Sequence, residues 1–139
     1  MSDKNISGPE VFPEFDNLFE IIQSEIVGLS NQQLDYISDK WGWSAWSIRN
    51  QLSHMASLIP RWLIVRWGDA IFPNGNHGFT DINAITTSAS DRRLDDETYW
   101  EISKIMATLE ASINLTKRAL CNLTLDFMSS RKIERDAST

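Results

Sequence analysis

Two histidines, one cysteine and a scatter of carboxylates are the groups in this 139-residue chain whose types could do chemistry. His54 sits in a stretch with helical apolar spacing, so it is either a metal ligand or a polar residue hydrogen-bonded on a half-buried face. His77 follows Pro73-Asn74-Gly75-Asn76, a turn signal. It could cover a site together with nearby Asp81, but a solvated loop residue is the simpler expectation. Cys121 has no histidine near it in sequence and reads as a small buried apolar group rather than a nucleophile. Glu97, Glu101 and Glu110 read as a solvated face. The six tryptophans, Trp41, Trp43, Trp46, Trp62, Trp67 and Trp100, could wall an apolar pocket. The expectation set against that is that they fill a core and its ends.

The elements that would position these groups read as helices. Phe15, Leu18, Phe19, Ile22, Ile26 and Leu29 mark one face of a 3.6-residue repeat from about Pro13 to Val27. Pro13 suits a first turn, and Gly28 is a natural stop because it accepts a left-handed conformation. Ser30 with Gln33 has the form of a capping box around a short turn. A second helix is expected after Ser47, its hydroxyl as cap, with Ile48, Leu52, Met55, Ile59 and Trp62 as the apolar line. Pro60 falls inside it and predicts a kink or an earlier end. The third helix is the clearest, capped by Asp95 and running through Ile102, Ile105, Met106, Leu109, Ile113 and Leu120. No alternating pattern suggests strands, so the fold class is all-α.

The stretch Trp46-Ser47-Ile48-Arg49-Asn50-Gln51-Leu52-Ser53-His54-Met55 resembles the DinB/YfiT-like family, in which a Trp-Ser pair opens the second helix and a histidine follows eight residues after the Trp. Leu29-Ser30-Asn31-Gln32-Gln33-Leu34 is similar to the connector of the same family. The resemblance covers roughly residues 13–122. It implies an antiparallel four-helix bundle holding zinc or nickel on three histidines, with hydrolases and thiol S-transferases among the relatives. His54 stands at the position of the first ligand. The His-x-x-x-His pair of the last helix has no counterpart, since His54 and His77 are the only histidines. A catalytic zinc usually takes about three protein ligands and keeps an open position, so the family-type site is incomplete. Neither histidine has a Glu three positions before it, as a di-iron bundle would require.

The organisation expected is therefore a loose arm over 1–12, a bundle with three long helices over 13–122, and a short tail over 123–139. The fourth helix is absent or replaced by a partner chain. A fourth helix buries about six large side chains at roughly 1.5–3 kcal/mol each, so something must cover the groove. The candidates are the 69–94 segment, Leu125-Asp126-Phe127-Met128, or a second copy of the chain, and a homodimer with helix-on-helix packing is the expectation.

A formal net charge of −6, with no basic patch, makes nucleic acid and anionic membranes poor partners. No apolar run approaches the roughly 18 residues of a membrane span. The N-terminus lacks a signal-peptide pattern, and the cytosol is the expected compartment. Two functions stay open: a metal-dependent hydrolase or transferase with His54 as ligand, and a non-catalytic bundle that dimerises or binds a small apolar molecule.

Overall fold

The computed structural model describes residues 6–80, 82–86 and 91–130, and among them every regular element is helical apart from an isolated bridge between Ser7 and Thr124. α1 (Gly8–Val11) lies within the segment expected as a loose arm. The Glu10 carboxylate accepts the Ser7 N–H at 3.1 Å at its start. The expected first long helix is divided in two. Pro13–Asp16 is a 3-10 turn, and α2 (Leu18–Ile26) follows a break at Asn17. At that break the Asp16 carbonyl turns to a partner outside the helix, Lys117 Nζ, at 3.2 Å. Gly28, with φ 85°, ends α2 as the sequence predicts.

α3 (Asn31–Leu34) is the turn foreseen from Ser30 and Gln33, which exchange side-chain to backbone hydrogen bonds of 2.8 and 3.2 Å. After a 3-10 turn at Gly42–Ala45, α4 (Ile48–Pro60) begins where the Ser47 hydroxyl accepts the Asn50 N–H at 3.0 Å. Pro60 changes the winding without stopping the rod. It has no N–H, so the Ala56 carbonyl loses its intrahelical donor. That carbonyl accepts from Ser112 Oγ instead, at 2.9 Å. A π-helix at Arg61–Arg66 follows, and the Trp67 N–H closes it on the Trp62 carbonyl five residues back.

Two short helices, α5 (Gly68–Ile71) and α6 (Ile82–Thr86), interrupt the crossover to α7 (Ile102–Cys121), and α8 (Leu125–Ser130) comes last. The sequence starts the third long helix at an Asp95 cap. Asp95 does cap, accepting from the Thr98 N–H and hydroxyl at 3.2 and 3.0 Å, but the turn it caps closes at Tyr99. Arg49 Nη1 takes the Trp100 carbonyl at 2.6 Å, and the helix restarts at Ile102.

α4 and α7 are the central pair, and they run in the same direction. Arg49 meets Trp100 at one end, Ser112 meets Ala56 in the middle, and Leu63 packs with Leu115 and Ala119 at the other end. α2 runs against both, since Asp16 lies by Lys117 and Asn31 by Arg49. A parallel central pair requires a long crossover to bring the chain back.

That crossover covers the groove. Ile85 and Leu94 are buried in the core with Phe19, Leu52, Leu109 and Ile113. Ser57 Oγ donates to the Ile85 carbonyl at 2.7 Å, and Ser53 Oγ accepts the Leu94 N–H at 2.9 Å. Of the expected covers within the chain, Ile85 and Leu94 of the 69–94 segment are the residues seated in this core cluster. No helix among the described residues is long and apolar enough to cross a membrane.

Candidate functional site

His54 is half-buried on α4. Its Nδ1 lies 3.1 Å from the Arg92 carbonyl. A carbonyl can only accept, so Nδ1 is the donor of this contact, and in the neutral ring the lone pair falls on Nε2. The ring stands edge-on to Trp46, with centroids 5.2 Å apart. This gives His54 the carbonyl-oriented tautomer that metal-ligating histidines share. The donor set goes no further: among the described residues, no three His, Cys, Asp or Glu side chains gather to hold an ion. The residues described do not fit a metal centre built on His54.

His77 lies at the other half of the bundle. Its Nδ1 accepts the Phe79 N–H at 3.1 Å, its ring stands edge-on to Phe72, and its carbonyl accepts from Arg118 on α7. It pins the crossover to α7 and is not brought together with His54. Asp81, weighed beside it, falls outside the described residues. Cys121 is exposed at the end of α7 rather than buried, and Glu97, Glu101 and Glu110 are exposed as expected.

The tryptophans do not fill the core. Trp41 and Trp100 are 54% and 43% exposed, while Trp46, Trp62 and Trp67 are half-buried. The side chain of Trp43 lies outside the described set. Their indoles work at the ends and edges: Arg66 stacks on Trp62 at 4.3 Å, and Arg49 on Trp100 at 4.6 Å.

Arg49 is the residue that sequence reasoning missed. It is 2% exposed, and each of its three guanidinium nitrogens has a hydrogen-bond partner. Nε meets Asp35 Oδ1 at 2.6 Å, Nη2 meets Asn31 at 2.7 Å, and Nη1 meets the Trp100 carbonyl. One signal could have found it. The buried face of α4 is Arg49, Leu52, Ser53, Ala56, Ser57 and Pro60, a helical repeat written in small and polar residues. The apolar line through Ile48, Met55 and Ile59 is the flank of that face, and Ile48 is exposed.

The side-chain hydrogen bond from Arg93 holds the Asp91 carboxyl below the usual carboxylate range, with burial acting weakly the other way. Burial pulls Arg93 down, but the hydrogen bonds it donates to Asp91 and Asp96 outweigh it and leave the guanidinium raised. Burial lowers Arg61, and the nearby charges of Arg92 and Arg66 add to the effect.

The concave site lies at the far end of the bundle from Arg49. A cleft of about 410 Å³ opens between the π-helix, α5, the last turns of α7, and α8. Leu63 and Trp67, four apart, form one wall, and Ala70 and Ile71 continue it. Thr116, Ala119 and Leu120 present one face of α7 as the floor. Leu123, Phe127 and Met128 close the opposite side, with Phe12 at the edge. That last wall is tied down by the Ser7–Thr124 bridge, in which the Gly8 N–H bonds to the Leu123 carbonyl at 2.8 Å and the Leu125 N–H to the Ile6 carbonyl at 2.9 Å. A Cβ at Gly8 would overlap the Leu120 carbonyl, so only glycine lets the first segment lie this close to α7. The volume falls within the range of small-molecule sites, roughly 300–1,000 Å³.

Comparison of the chain with protein-family models, curated proteins and solved structures finds no match.

Proposed function

We propose that this chain is a binding module that receives a small apolar molecule in the cleft between the π-helix, α7 and α8. The observation that carries this reading is the cleft itself: about 410 Å³ with no charged side chain on its lining. Burying apolar ligand surface there is favourable by roughly 25 cal/mol per Å². The π-helix set up by Pro60 helps to bring both Leu63 and Trp67 to one wall. The expected result is saturable one-to-one binding of a neutral fluorescent probe, N-phenyl-1-naphthylamine. Ala70→Trp at the half-buried wall should weaken it at least about tenfold, from the loss of the volume the probe needs. Thermal melting of the variant checks that the fold is intact. Non-saturable uptake, or unchanged affinity in the variant, would sink the reading.

A second reading, a DinB-like metal-dependent hydrolase or thiol transferase, has one observation in its favour: the proton on His54 Nδ1 leaves Nε2 free to ligate. It requires zinc or nickel bound near-stoichiometrically to untagged protein and lost in His54→Ala. It also requires further ligands that the described residues do not bring to His54.

A further inference from the structure

The lining of the cleft also restricts what kind of apolar molecule it takes. Resting on the binding reading above, we infer that the preferred ligand is an uncharged, ring-containing molecule that carries one hydroxyl or N–H donor, with Thr116 as its acceptor.

Three observations converge on this. The first is charge. An anion in the cleft would give up water with no cation to meet it, which disfavours binding. The two cations next to Thr116 along α7 are held elsewhere: Lys117 Nζ on the Asp16 carbonyl, and Arg118 on the His77 carbonyl. No acidic residue lines the cleft either, so a cation fares no better.

The second is polarity. Among the lining side chains, Thr116 brings the one hydroxyl. Its hydrogen is already given to the Ser112 carbonyl at 3.1 Å. What the hydroxyl still offers is a lone pair, so the group that satisfies it must donate. At Thr116 an ether or ketone of the same shape would meet an acceptor with an acceptor.

The third is shape. Phe12, Trp67 and Phe127 reach the cleft from three different elements, and offset or edge contacts between aromatic rings add to the gain from burial. A dry cavity of about 150 Å³ accommodates benzene, so this cleft takes a molecule of more than one ring.

The test is a titration series on one bicyclic skeleton, read by calorimetry and by amide chemical shifts of the full chain. 2-Naphthol supplies the donor, 2-methoxynaphthalene has the same rings without it, and 2-naphthoate carries the charge. The expected order is naphthol tightest, the methoxy compound roughly two- to tenfold weaker, as one neutral hydrogen bond would give, and naphthoate without measurable affinity. Thr116→Val, which keeps the side-chain shape, should bring naphthol down to the level of the methoxy compound and leave the latter unchanged. Equal binding of the two neutral compounds, or no effect of Thr116→Val, would overturn the ligand class while leaving apolar binding intact. Naphthoate binding as tightly as naphthol would overturn it too. Failure of every compound to bind would instead defeat the binding reading on which it rests.

Discussion

Arg49 is a buried cation that ties three segments together. It joins α3, α4 and the turn before α7 through Asn31, Asp35 and Trp100. A buried guanidinium is tolerable only because each of its nitrogens is hydrogen-bonded and its face is stacked on the Trp100 ring. Lysine cannot reproduce that fork, since its ammonium is a point charge on a flexible stem. Arg49→Lys is therefore expected to destabilise the chain by about 2–4 kcal/mol, close to the effect of Arg49→Leu, in urea unfolding. The figure sits below the full cost of breaking a buried pair, roughly 3–5 kcal/mol, because Asp35 is 37% exposed and can be rehydrated. A loss under 1 kcal/mol would show that the network contributes little. His54 illustrates the opposite case. Its place on the helix was legible from spacing, whereas its partner Arg92 comes from a segment far along the chain that no local pattern predicts.

Local signals in the sequence translated directly into elements. The caps at Ser30 and Ser47 and the stop at Gly28 depend only on residues within a turn of each other, so they were readable in full. The buried face of α4 was not, because it is built from serines, an alanine, an arginine and a proline rather than large apolar groups. Those serines take partners far away in sequence: Ser53 and Ser57 hold the crossover, and their small size lets it approach. Ser112 repairs the carbonyl that Pro60 orphans. Ser112→Ala should cost about 1–3 kcal/mol, as expected for a buried acceptor left without a donor. In a Pro60→Ala background the restored N–H can serve Ala56, and the same serine substitution should cost less than half as much. A double-mutant cycle in denaturant measures the difference. Additive effects would mean that the Pro60 and Ser112 sites are independent.

At the scale of the whole molecule, the parallel pair α4 and α7 makes the crossover an integral part of the core. The sequence pointed to residues 69–94 as one possible cover but could not rank it above a partner chain, since its apolar residues, Phe79, Ile82, Ile85 and Leu94, follow no single period. The cleft was equally illegible: its walls come from both ends of the described chain and from a π-helix that propensity does not foresee. The far end of the crossover carries an ion-paired corner, Arg93 with Asp91 and Asp96 at 2.6 and 3.0 Å. The folded pKa of Asp91 is depressed. Its contribution is therefore present above the unfolded value near 3.8 and is lost as pH falls through the lower folded value. Stability measured from pH 5 down to pH 2 should drop less steeply in Asp91→Asn than in the parent chain. Identical slopes would remove Asp91 from the account.

The bridge between Ser7 and Thr124 also imposes an order in time. Helices α4 and α7 can each wind from neighbouring residues. The strap that carries Phe127 and Met128 can settle only after segments near opposite ends of the described chain have found each other. Closing so long a loop is entropically the most demanding step on offer. The cavity should thus mature last during folding, when the helices and their serine ties are already in place.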